Sequence, residues 1–280
     1  MKILVTGGKG MLGHALIERL APIHDVVSVD VEEMDVRSWT VVWSRVEEVR
    51  PEVVIHGAAF TRVDDCETEW DEAFAVNAVG ARNVALACRR IGAPMLYVST
   101  DYVFDGAKGE AYDESDEPRP LSVYGWSKLM GEEWVRRHHP DHWVVRAAWS
   151  YGPGGANFVR TIVERGRSGI PLEIVDDQVG SPTYTVDLAD ALSGLIESDG
   201  FGLYHLTNGG QASWYDLAVE ALRVAGVEAN VERIATVSTA RAARRPEYSV
   251  LKNARWEQEG RAPLRPWREA VSEYVRNHLR

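Results

Sequence analysis

Residues 2–13 read KILVTGGKGMLG. A short β-branched run, KILVT, gives way to Gly7, Gly10 and Gly13 at GxxGxxG spacing, and the amphipathic segment MLGHALIERLA (11–21) follows without a break. In that order, strand, glycine turn and helix, backbone amides at the helix N-terminus can hold a pyrophosphate, because no Cβ keeps it away. A glycine triplet alone is a weak signal; its place between strand and helix makes it a dinucleotide site. Asp30 closes the next apolar run, VVSVD (26–30), where a carboxylate accepts bonds from the adenosine ribose hydroxyls. Lys9, just before the second glycine, is placed to meet a 2′-phosphate instead. The two signals conflict, so the expected cofactor is NADH or NADPH.

Outward from this stretch the same rhythm repeats. EVVIHGA (52–58), PMLYVS (94–99) and HWVVRAA (142–148) read as strands apolar on both faces, and SWTVVWSRVEEVR (38–50) and NAVGARNVALACRRIG (77–92) as the helices between them. This pattern predicts an α/β fold: a Rossmann-like, doubly wound parallel sheet with ligands at the carboxyl ends of its strands. After Tyr151 the rhythm loosens, yet VDLADALSGLIE (186–197) still reads as a sheet-flanking helix. The expected division is a dinucleotide-binding domain over 1–150, with about 172–205 returning to it. A smaller, partly interleaved C-terminal substrate domain takes 151–171 and 206–280.

A formal charge of −11 argues against a general nucleic-acid or anionic-membrane partner, which needs a cationic face. The two cysteines, Cys66 and Cys88, have neither metal-ligand spacing nor the density of a disulfide framework. The first apolar run is too short for a signal peptide and no stretch suits a membrane span, so a cytoplasmic protein is expected. HHPDH (138–142) lacks a Cys or Glu at ligand spacing, and no metal is expected.

Two further stretches carry chemistry: VSTDYVFDG (98–106) and VYGWSKLMGEEW (123–134). In the second, Tyr124 and Lys128 stand at i and i+4, so both project from one helix face. A phenol with pKa ~10 is a poor proton donor at neutral pH, and a fixed ammonium ~4 Å away contributes about 4 kcal/mol, or nearly ~3 pK units. That predicts a Tyr124 pKa close to ~7, where general acid catalysis is most effective.

Together, GxxGxxG, YxxxK and a hydroxyl residue ending an earlier strand resemble the extended short-chain dehydrogenase/reductases. The resemblance implies that Tyr124 passes a proton, Lys128 tunes it and holds the nicotinamide ribose, and Thr100, beside Ser99, bonds the substrate oxygen. STDYVFDG, AAFTRVDDCE, DDQVGSPT, SWYDLAVE and RPEYSVL, spread over nearly the whole chain, narrow the resemblance to the dTDP-4-dehydrorhamnose reductases. It implies cofactor contacts from Gly7, Gly10, Met11, Leu12, Gly13, Asp30, Asp35, Val36, Ala58, Ala59, Phe60, Thr61, Tyr124 and Lys128. It implies substrate contacts from Thr100, Asp101, Tyr102, Trp149, Asn157 and Arg245. Related 4,6-dehydratases carry Thr-Asp-Glu after this strand; here the third residue is Tyr102, so the base for elimination is missing and simple reduction of a dTDP-sugar ketone is expected. Phe60 stands where the family usually has His. Ala15 follows His14 where some members carry a magnesium-binding Glu, so that metal is not expected. A homodimer is compatible with the sequence. Two other readings stay open: an NAD-dependent sugar-nucleotide epimerase, and a non-catalytic NADP-binding subunit resembling the regulatory subunit of methionine adenosyltransferase.

Overall fold

The computed structural model describes residues 1–279. Its apolar runs form β1 (Lys2–Thr6), β2 (Asp25–Val29), β3 (Val53–His56), β4 (Met95–Thr100) and β5 (His142–Ala147). With strand Gly202–His205 they make one all-parallel sheet in the order Gly202–His205, β5, β4, β3, β1, β2. Alternate residues leave opposite faces. Ile3 and Val5 therefore pack with helices Met11–Leu20 and Thr185–Leu195, whereas Leu4 packs with helices Trp39–Val49 and Ala81–Ile91. Burial on both faces is why these strands are continuously apolar. The carboxyl ends of β1, β3 and β4 open into one cleft.

Helix Ala81–Ile91 ends at Gly92, in the left-handed conformation at φ 74° that glycine adopts without a Cβ penalty. It is preceded by a π-helical segment, Ala75–Gly80. Within that segment the buried Asn77 amide donates to the Phe60 carbonyl (3.1 Å) and to Ser127 Oγ (2.9 Å) and accepts from Phe60 N (2.8 Å). One side chain thus ties the loop after β3 to helix Val123–His138.

The return expected from about residue 172 begins later. Strand Leu172–Val175 pairs with Val231–Ile234, and Val179–Gly180 with Ala212–Ser213, so neither joins the central sheet. Leu172 and Ile174 are instead buried with Ile162, Ala218 and Leu222, beside the helices Phe158–Arg167 and Trp214–Ala225. The chain rejoins the sheet layer through helix Thr185–Leu195 and strand Gly202–His205. It does so again at Trp256, which sits in the core beside Tyr204. Between β5 and helix Val123–His138, Arg146 and Glu132 form a buried ion pair (2.7 Å), with 1% and 0% of their side chains exposed.

Candidate active site

Every expected cofactor contact lines one cleft of about 870 Å³. Gly7 turns the chain at φ 72°, and a Cβ there would lie 2.7 Å from Ala58 N, so the β1 turn and the end of β3 meet only because Gly7 has no side chain. Gly10 occupies the N-cap of helix Met11–Leu20 and supplies no side-chain cap. The amides of that first turn face the cleft and have no partner among the described residues, which suits an anionic pyrophosphate. Asp30 accepts from the backbone of Lys9 (3.0 Å) and Val31 (2.9 Å), which fixes the carboxylate at the end of β2. The Lys9 ammonium is paired with Glu32 (2.8 Å). A further charge, Arg37, which no motif marks, lines the cleft and donates to Asp35 (2.7 Å) and Glu72 (2.7 Å), both of which raise its pKa. Below the loop, burial drives His56 down to about 3, so it is neutral, with Nδ1 2.7 Å from Thr6 Oγ1.

The catalytic candidates converge from β4 and helix Val123–His138. Ser122 caps the helix by accepting from Gly125 N (3.2 Å), which puts Tyr124 in the first turn and Lys128 one turn on. A Cβ on Gly125 would lie 2.2 Å from the Tyr102 carbonyl; its absence lets the helix rest directly on the turn after β4. Thr100 Oγ1 accepts from Tyr102 N (3.2 Å) and bonds Asp101 Oδ1 (3.1 Å). The Tyr124 and Tyr102 rings meet edge to face at 5.9 Å.

The electrostatics correct one expectation. Enclosure of the phenol holds Tyr124 well above its ordinary range, the Thr100 hydroxyl pulling it only partly back, and not near neutrality. Burial is the larger cause, and Lys128 is engaged elsewhere. Its ammonium donates to the Val98 carbonyl (2.6 Å), lies 4.2 Å over the Tyr97 ring, and is pushed down to about 7 by burial. Its hydrogen bond thus goes to the β4 backbone and not to the phenol. Tyr124 is therefore firmly protonated, as a proton donor must be before reaction.

Of the substrate candidates, Thr100, Asp101, Tyr102 and Trp149 line the cleft. Trp149 adopts φ 45°, rare for a bulky residue and a form of strain that functional sites retain. Its ring stacks on Trp214 at 3.6 Å and 4°, an aromatic wall built by two residues 65 positions apart. Asn157 is not in the cleft. It caps helix Phe158–Arg167 through Arg160 N (3.0 Å) and donates to Gly152 O (2.9 Å) and Tyr274 Oη (2.8 Å), which uses its polar atoms within the fold. Arg245 also lies outside: it holds Asp64 through two nitrogens (3.1 and 2.8 Å) and interacts with the Tyr102 phenol from behind. The partner Asp64, which Arg245 and Arg241 keep well below the carboxylate range, was not foreseen.

The family model described as RmlD substrate binding domain matches residues 1–280. The chain is 42% identical to the dTDP-4-dehydrorhamnose reductase of Streptomyces griseus, over 96% of this chain and 91% of the other. A crystal structure of a dTDP-4-dehydrorhamnose reductase from Clostridium acetobutylicum superposes with a TM-score of 0.96 at 42% identity, covering 99% of both chains. That from Bacillus anthracis, in complex with NADP, superposes with a TM-score of 0.96 at 38% identity, covering 98% of both.

Proposed function

The chain belongs to the RmlD family, and on that premise we propose that it reduces the 4-keto group of dTDP-4-dehydro-L-rhamnose to dTDP-L-rhamnose with NADPH or NADH. The observation that carries the reading is the meeting, in one cleft, of an uncapped helix N-terminus at Gly10 with Thr100, Tyr124 and Lys128. The residues fit a dinucleotide. First-turn amides after Gly10 hold the pyrophosphate, Asp30 the adenosine ribose, and Lys128 the nicotinamide ribose. Bound NAD(P)H supplies the hydride for the keto carbon. Tyr124, kept neutral by its enclosure, gives its proton to the ketone oxygen, and Thr100 bonds that oxygen as charge develops. Tyr102 stands where an elimination base would be needed, and Trp149 and Trp214 wall the sugar side. Asn157 and Arg245 act through the fold rather than on the substrate. A cytoplasmic setting suits Cys66 and Cys88, which are free and buried.

The test is NAD(P)H oxidation with dTDP-4-dehydro-L-rhamnose, product identified, beside UDP- and GDP-linked keto-sugars. Stoichiometric oxidation with the dTDP substrate supports the reading. A purified protein that retains NAD and interconverts epimers without net oxidation replaces it with the epimerase reading.

A further inference from the structure

Asp101 lines the cleft at only 2% exposure, and both its oxygens are engaged. Ser249, 148 positions away in the C-terminal segment, donates to Oδ2 at 2.6 Å, and Thr100 Oγ1 lies 3.1 Å from Oδ1. A hydroxyl has one proton and two lone pairs. The Tyr102 amide already uses one lone pair of Thr100. If Asp101 is a carboxylate, it can only accept, and Thr100 must spend its single proton on it. Thr100 then presents no donor to the oxygen that becomes an alkoxide.

We propose that Asp101 acts as a neutral acid that positions Thr100: its carboxyl proton goes to the second lone pair of Thr100 Oγ1, and the Thr100 proton is freed for the reacting oxygen. This deepens the reductase reading and rests on it. The valences then close: Thr100 accepts from the Tyr102 amide and from Asp101, its proton directed to the Tyr124 phenol in the unliganded protein and to the reacting oxygen once substrate binds, and Asp101 accepts from Ser249. The groups around the carboxyl supply no compensating cation. Tyr124 and Tyr102 are neutral phenols, and Cys66 beside Tyr124 is a thiol pushed up to about 11. Lys128 is bonded to the Val98 carbonyl, and Arg245 is committed to Asp64 with Tyr102 in between. Burial accordingly raises Asp101 to about 7, against the opposing bonds from Ser249, Thr100 and the backbone amides of Asp101 and Tyr102. The neutral form is present below that value and lost above it, so turnover falls on the basic side.

The experiment compares kcat against pH for the wild type, Asp101→Asn and Asp101→Ala, beside an infrared titration of the unliganded protein. An Asn amide can donate to Thr100 and accept from Ser249 at every pH. Wild-type kcat is expected to fall roughly 100-fold to a basic plateau, the scale of losing one oxyanion donor. Asp101→Asn is expected to abolish that limb, staying within about tenfold of the acid-side wild-type rate, while Asp101→Ala is about 100-fold down throughout with KM little changed. The wild-type minus Asp101→Asn infrared spectrum is expected to show a protonated-carboxyl band that fades with the midpoint of the kinetic limb. The proposal is overturned if Asp101→Asn keeps the wild-type limb, which would then belong to Lys128, or if no protonated-carboxyl band appears below neutrality. A wild type inactive on the keto-sugar would sink the reductase reading itself, while the infrared titration still decides the protonation state.

Discussion

Glu132→Gln removes one charge from the buried pair beneath β4, and its cost can be worked from the contacts. Glu132 Oε1 accepts from Ser99 Oγ (2.5 Å) and Arg146 Nε (2.9 Å), and Oε2 from Arg146 Nη2 (2.7 Å). A glutamine keeps one acceptor and turns an N–H toward a guanidinium that has only donors. Arg146 is left with the Phe104 ring at 5.1 Å and His205 at 3.4 Å. His205 is pushed down to about 3 by burial and carries no charge to offset it. Uncovering a buried charge in this way costs about 3–5 kcal/mol. For a chain of this size each kcal/mol lowers Tm by roughly 2–3 °C, so a fall of about 6–15 °C is expected. Thermal and urea unfolding followed by circular dichroism measure it. The double variant Glu132→Leu/Arg146→Met, which removes both charges, should recover most of the loss, less about 1 kcal/mol for the orphaned Ser99 hydroxyl. A single variant within about 2 °C of wild type, or a double variant worse than both singles, would refute the account.

Tyr124→Phe should fold and bind NADPH normally, since the ring keeps its contact with Tyr102, yet lose about 10²–10⁴-fold in kcat, equivalent to about 3–5.5 kcal/mol; cofactor titration beside steady-state turnover checks both halves. Gly125→Ala places a methyl 2.2 Å from the Tyr102 carbonyl, so helix or turn must shift; a loss of about 1–3 kcal/mol in urea unfolding, with reduced kcat, is expected. Lys128 has a native pKa depressed from 10.5 to about 7. Between those values the unfolded chain holds a proton that the native amine has released, so this residue's contribution to stability rises with pH across the window and is lost as pH falls through the lower value. The wild-type Tm, measured relative to Lys128→Met, should therefore climb from neutral to alkaline pH; a flat difference would show that the amine is not desolvated.

The features legible in the sequence were local ones. KILVTGGKGMLG and the Tyr124–Lys128 spacing each lie within one strand-turn-helix or one helical turn, so periodicity and glycine placement suffice to read them. Asp64 with Arg245, Ser249 with Asp101 and Glu132 with Arg146 are pairings made by tertiary folding, and nothing in either partner's neighbourhood marks the other. Asn157 illustrates the converse: the family resemblance implies a ligand contact, whereas its polar atoms are used by a helix cap and Tyr274. The Tyr124 pKa was misjudged because a charge-charge estimate needs the enclosure of both groups and the orientation of the amine, which spacing does not supply. Leu172–Val175 was misplaced because a short apolar run cannot show which sheet it joins.

The position of strand Gly202–His205 at the edge of the sheet bears on how the protein is made. β5 has β4 on one side, but its other partner is not synthesised until residue 205 has left the ribosome. Until then β5, with Trp143, Val144 and Val145 that are almost wholly buried in the finished fold, offers an unpaired edge apolar on both faces. From the synthesis of residue 147 until residue 205 emerges, β5 is thus exposed to pairing with another chain.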